Sequence, residues 1–193
     1  MTAVPKASRW ISPEEYLEGE KVAEIRHEYL AGEVFAMAGA SKTHHDIAFN
    51  IAAWLRSALR GKPCRTYMEG VKVRINPNRE TLFYYPDVFV GCDPLDLHEY
   101  FSDYPIAIFE ILSPETARYD QREKRFAYQT IEALQTYVLV DQHKVEICLW
   151  QRAGDDWEPL VLNAREDAVP LPGLNLALPV SEIYAGITFV SAA

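Results

Sequence analysis

Apolar residues recur along this chain with two periods, and the switches between them outline the fold. Across residues 41–59 the positions Ile47, Ile51, Trp54, Leu55, Ala58 and Leu59 repeat at helical spacing, which puts one apolar stripe on a long helix. Ser41 can cap its start, and Gly61 and Pro63 close its end. A shorter helix is predicted after Ser12, with Pro13 at the first helical position and Glu15 at the third, a capping-box pattern. Residues 26–30 and 33–37 flank Ala31-Gly32 as the arms of a tight hairpin. Period-two or continuous apolar runs predict strands at 65–67, 71–75, 82–90, 106–112, 137–140, 145–150 and 157–162, with turns at Asn76-Pro77-Asn78 and Gly154-Asp155-Asp156. Residues 118–133 read as a helix with Phe126, Ile131 and Leu134 on one side and Arg122, Lys124 and Arg125 elsewhere around it. A Pro-rich tail leads to a short amphipathic segment at 180–184. One mixed β-sheet core flanked by helices, an α/β or α+β domain with an extra N-terminal hairpin and C-terminal strands, accommodates these elements.

Two of the strands carry a carboxylate where the apolar pattern leaves no room for one. Leu82-Phe83-Tyr84-Tyr85-Pro86-Asp87-Val88-Phe89-Val90 contains Asp87, and Ile106-Ala107-Ile108-Phe109-Glu110-Ile111-Leu112 contains Glu110. A carboxylate inside such a run is costly to desolvate unless a cation or hydrogen bonds compensate it. Two on neighbouring strands can share one hard divalent ion, the arrangement that metal-dependent phosphodiester cleavage uses. The bland readings are that Asp87 caps a turn after Pro86 and that Glu110 sits on an edge strand facing solvent.

Composition narrows the class. The chain has 193 residues, 49% hydrophobic and 24% charged, which fits one soluble globular domain over 1–193 with its core at about 12–186. No apolar run approaches the roughly 20 residues that cross a bilayer, and residues 1–10 lack a signal-peptide core, so a cytoplasmic location is expected. Cys64, Cys92 and Cys148 show no metal-ligand spacing and are expected as buried free thiols. The net charge of −9 counts against a broad basic DNA-binding face. A nucleic-acid substrate therefore requires a local basic patch and metal ions that offset the carboxylates.

The ordered set Glu24-Ile25-Arg26-His27-Glu28-Tyr29, Gly32-Glu33-Val34, the helix start at Ser41 to His44, Tyr85-Pro86-Asp87-Val88, Glu110-Ile111-Leu112-Ser113-Pro114-Glu115-Thr116, Tyr119-Asp120, Glu123-Lys124 and Tyr137-Val138-Leu139-Val140-Asp141 resembles the Uma-two family of endonucleases. That family lies within the restriction-endonuclease-like superfamily, whose signature is Pro-Asp, a variable gap, then Asp/Glu-x-Lys. The resemblance implies a mixed-sheet nuclease core and DNA as substrate. It implies Mg2+ or Mn2+ held by Asp87 and Glu110. Leu112 stands where the signature lysine is expected. Lys124, on the following helix, is the candidate to supply that positive charge from another backbone position, against the bland alternative of a surface pair with Asp120. Glu33, just after the Ala31-Gly32 turn, is a candidate further ligand or base. His44 and Arg122 are candidates for phosphate contact, although a helix-start histidine that is exposed or bonded to a carboxylate and a solvated helix face are the simpler readings.

Two other classes remain open at this point. An interaction module that kept the fold and lost catalysis could use Tyr84, Tyr85, Tyr100, Phe101 and Tyr104 as an exposed aromatic surface, forming a homodimer. An enzyme acting on a small phosphorylated substrate would suit the negative charge but lacks a Gly-rich phosphate loop.

Overall fold

Ser12 opens the first helix as a reciprocal cap. Its hydroxyl accepts from the Glu15 N–H and the Glu15 carboxylate accepts from the Ser12 N–H, both at 3.1 Å, and α1 (Pro13–Glu20) follows. The computed structural model describes residues 10–37, 39–77, 80–112 and 120–189, with backbone only at Asp120 and Gln121. The hairpin β1 (His27–Leu30) and β2 (Glu33–Ala36) turns at Ala31 and Gly32 with φ of 49° and 108°. Positive φ at both central residues is what a two-residue hairpin loop requires, and a Cβ on Gly32 would run into the Trp10 ring. Helix α2 (Lys42–Ala58) is capped by the Ser41 hydroxyl, which accepts from the His44 N–H at 3.1 Å.

The remaining chain builds β3 (Arg65–Met68), β4 (Lys72–Ile75), β5 (Leu82–Tyr84), β6 (Val88–Gly91), β7 (Phe101–Ser102) and β8 (Pro105–Leu112). After residues 113–119 come a π-helical turn (Asp120–Lys124) and α3 (Arg125–Gln129), then β9 (Thr136–Asp141), β10 (Ile147–Ala153), β11 (Asp156–Leu162), β12 (Ala168–Leu171), β13 (Leu176–Pro179) and α4 (Val180–Ile183). The fold is a mixed α+β arrangement of several sheets flanked by helices. In place of one sheet there are two large ones and a hairpin. A five-stranded sheet runs β2-β1-β5-β4-β7, a six-stranded sheet runs β11-β10-β9-β8-β6-β3, and β12 pairs with β13. Each large sheet is antiparallel except for one parallel pair, β4–β7 in the first and β8–β9 in the second.

The sheet count changes because the predicted strand at 82–90 is two strands. It breaks at Tyr85-Pro86-Asp87, where Pro86 has no N–H to give to a ladder, and the chain passes from the five-stranded sheet into the six-stranded one. The central strands of the six-stranded sheet are then buried on both faces. One face carries Val88, Val90, Phe109, Ile111, Val138 and Val140 against Ile47, Ile51 and Leu55 of α2. The other carries Phe89, Ile108, Tyr137 and Leu139 against Val73 and Tyr84 of the first sheet and Tyr128 of α3.

Two further expectations are corrected. The helix predicted to reach 133 ends at Gln129, its start at 118–119 lies outside the described residues, and Phe126 is exposed while Tyr128, Ile131 and Leu134 are buried. Turn residue Asn78 also lies outside them. Cys64 and Cys92 form a disulfide instead of remaining thiols. Arg65 pairs with Gly91, so the next residue outward on each strand, Cys64 and Cys92, meets its opposite number across the β3–β6 ladder. Cys148 is a free, half-buried thiol, with its pKa pushed up by burial.

Candidate active site

The start of β6 and the end of β8 bring the two acidic residues opposite one another. Val88 pairs with Phe109, so Asp87 falls one step further along, across from Glu110. The Asp87 N–H points to Glu110 Oε2 at 3.4 Å, and Asp87 Oδ2 accepts from the Ile111 N–H at 2.7 Å. β8 lies inside the six-stranded sheet, and Glu110 is 3% exposed, so it is no solvent-facing edge carboxylate.

Two helical segments close on this pair. From α2, His44 Nε2 lies 2.9 Å from Asp87 Oδ1, so the histidine of the first turn is bonded to a carboxylate. From the π-helical turn, Lys124 Nζ reaches 3.8 Å from Glu110 Oε1 and 2.8 Å from Glu28 Oε1, and lies 5.3 Å from the centre of the Tyr84 ring. Lys124 is buried, and π-helical turns of this kind recur at functional sites. Tyr128, four residues on and hence on the same helix face, donates to Glu110 Oε1 at 3.1 Å. Burial pushes the Tyr128 phenol well above its ordinary pKa, and the charges of Glu110 and Glu28 push it further, so it stays a donor.

Leu112, at the signature lysine position, packs among the residues between the two sheets. Glu33 is exposed at the turn end of β2, across from Leu30, and the glutamate whose carboxylate meets Lys124 is Glu28 on β1. Arg122 is exposed on the same turn as Lys124. Arg125 is taken up by the rings of Phe126 and Trp150, each 4.6 Å away. Of the aromatic residues expected on the surface, Tyr84, Tyr85 and Phe101 are buried, and Tyr100 and Tyr104 are exposed.

The sequence reading passed over three contributors. Tyr128 was findable from its spacing to Lys124, and Glu28 from its place inside a short strand run. Gln142, nearly buried, bridges Ser41 and Leu112, and its polar position after β9 gave no signal. Asp87, Glu110 and Glu28 against Lys124 leave the described cluster negative even with His44 charged. Among the described residues no group of three or more His, Cys, Asp and Glu side chains is arranged to hold a metal ion. The donor set is the facing pair Asp87 and Glu110. Two hard carboxylates fit Mg2+, which binds through one or two carboxylates and keeps water on its other positions.

Comparison with known proteins places this geometry among relatives. The pattern of a family, Uma2, described as "Putative restriction endonuclease", matches residues 13–181. The "Uncharacterized protein slr1290" of Synechocystis is 37% identical over 182 residues, covering 93% of this chain and 94% of that protein. A second Synechocystis protein, "Uncharacterized protein sll1609", is 28% identical over 155 residues, covering 79% and 86%. Among solved structures, "a putative nuclease belonging to DUF820 from Anabaena variabilis" superposes with a TM-score of 0.73 at 18% identity, over 91% of this chain and 98% of that one. At that identity the likeness is one of fold.

Proposed function

This chain belongs to the Uma2 family, and we propose that it is a metal-dependent endonuclease that hydrolyses phosphodiester bonds in DNA, with Asp87 and Glu110 as the ligands of Mg2+ or Mn2+. The observation that carries this reading is a buried Glu110 facing Asp87 across one ladder step, with the Lys124 ammonium 3.8 Å away. A buried glutamate facing a half-buried aspartate beside a buried lysine is costly to assemble, and such charged clusters concentrate at functional sites. The bound ion would lower the pKa of a water to generate a nucleophile and offset charge on the scissile phosphate. The chain's own residues set up the rest. Lys124 presents its ammonium beside Glu110, in place of the one that Leu112 cannot offer, where it stabilises developing negative charge. His44 fixes Asp87 Oδ1, and Arg122, exposed on the Lys124 turn, contacts the DNA backbone. Acting on DNA, the protein works in the cytoplasm.

The test joins cleavage to stability. With Mg2+ or Mn2+ the protein should cut plasmid, linear or single-stranded DNA. Its unfolding should shift upward by about 2.7 kcal/mol at a hundredfold excess of ion over Kd. Asp87→Asn should lose both effects and be more stable than wild type without ion, because one of the repelling carboxylates is gone. Equal metal effects in the two proteins, or cleavage by the variant, would remove Asp87 as a ligand.

One observation favours a second reading, a catalytically silent interaction module. Asp87 is engaged by His44 and the Ile111 N–H, and Glu110 by Tyr128 and Lys124, so both carboxylates are partly filled by the protein itself. That module predicts neither cleavage nor a metal-dependent gain in stability.

A further inference from the structure

Five hydrogen bonds leave β8 at one residue and return to it at the next. The Leu112 C=O accepts from Gln142 Nε2–H at 2.9 Å, and Gln142 Oε1 accepts from the Ser41 hydroxyl at 2.6 Å. The Ser41 oxygen accepts from the His44 N–H at 3.1 Å, and His44 Nε2 lies 2.9 Å from Asp87 Oδ1. Asp87 Oδ2 then accepts from the N–H of Ile111 at 2.7 Å, beside Leu112. The circuit joins the N-terminus of α2, the end of β8 and the start of β9's outgoing loop around the acidic pair. An ionised carboxylate only accepts, so in this arrangement His44 Nε2 carries the proton.

We infer that Gln142 is a positioning residue for this site: it locks the first turn of α2 to the end of β8 and thereby sets His44 on Asp87. Gln142 is 5% exposed with both ends of its amide engaged, and one of its two partners is the N-cap of α2. A purely structural glutamine could satisfy the Leu112 carbonyl alone. Reaching Ser41 as well determines where the helix begins relative to β8. Small displacements at a reacting centre are expensive, because about 1 Å of misplacement can cost on the order of a hundredfold in rate. The inference about His44 stands on geometry, and its consequence for catalysis rests on the nuclease reading.

The experiment compares Gln142→Leu, Ser41→Ala and Ser41→Thr with wild type, and adds Leu149→Ala as a control that lowers Tm without touching the circuit. The first readout is the nitrogen–proton NMR correlations of the His44 ring, which need no cleavage. The second is kcat and KM for DNA with Mg2+ or Mn2+. Gln142→Leu and Ser41→Ala should shift or broaden the His44 signals and lower kcat about tenfold or more, with KM within about twofold. Ser41→Thr, which keeps the hydroxyl, should restore both, and Leu149→Ala should leave both unchanged. His44 signals that match wild type in Gln142→Leu and Ser41→Ala overturn the inference. If Gln142→Leu fails to fold, Ser41→Ala decides alone. A wild type that never cleaves sinks the nuclease reading while the NMR comparison still decides the positioning role.

Discussion

Lys72 and Lys124 are both buried lysines, and each lies over the ring of one of two consecutive tyrosines. Lys72 Nζ is 5.0 Å from the Tyr85 ring centre and Lys124 Nζ is 5.3 Å from that of Tyr84. Their surroundings otherwise differ. Lys72 is held by the Tyr85 hydroxyl at 3.1 Å and, among the described residues, meets no carboxylate within ion-pair distance. Burial pulls its pKa down, with the charge of Glu20 pulling the other way. Lys124 is gripped by Glu28 and lies beside Glu110. One sequence feature, a tyrosine pair in β5 and its exit, thus serves two ammonium groups. The first is a buried cation held by a hydroxyl, and the second lies among carboxylates. Cation–π contact is common to both, so the carboxylates make the difference.

Removing each lysine should separate the two environments. The largest effect belongs to Lys124→Met, which leaves the buried Glu110 and the half-buried Glu28 as like charges without their cation. It should cost about 3–5 kcal/mol at neutral pH by urea unfolding. Tyr128→Phe removes a donor to Glu110 and should cost about 1–3 kcal/mol. Its sign with pH is fixed by the raised Tyr128 pKa. The folded phenol holds its proton while an unfolded one ionises near 10, so this share of stability is full below about pH 10 and drains above it. The phenylalanine variant should lack that part of the alkaline loss.

The smallest effect is expected for Lys72→Met, a change of under about 1 kcal/mol that is neutral or stabilising at pH 7, because methionine fills similar space without a charge to desolvate. Since the folded Lys72 pKa lies below 10.5, the unfolded chain binds more protons between those two values, and wild-type stability gains with pH there. The advantage of methionine should therefore fade as pH approaches about 10.5. A Lys72→Met loss as large as that of Lys124→Met would erase the distinction between the two lysines.

Much of the local structure was legible because its causes are local. The Ser12–Glu15 cap, the Ala31-Gly32 turn and the Ser41 cap each depend on residues no more than three or four apart, and each forms as read. Asp87 and Glu110 stood out because a carboxylate in an apolar run contradicts its surroundings wherever the strand is placed. The partners of that pair were harder to see. Glu28 is separated from Lys124 by about half of the chain, and Glu33 on the same hairpin remains exposed.

What the sequence by itself determined is therefore the inventory: which segments are helices and strands, where they cap and turn, and which two carboxylates interrupt buried runs. Propensity, capping and periodicity act over a few residues, so they can be read without a fold. Only the tertiary structure decided that the chain crosses between sheets at Pro86, that Cys64 meets Cys92 across a ladder, and that Lys124 answers Glu28 as well as Glu110. It alone put Gln142 between Ser41 and Leu112, 101 residues from the first and 30 from the second. Such contacts depend on register and sheet order, which are set by the joint burial of distant apolar faces and leave no local trace at the polar residues they bring together.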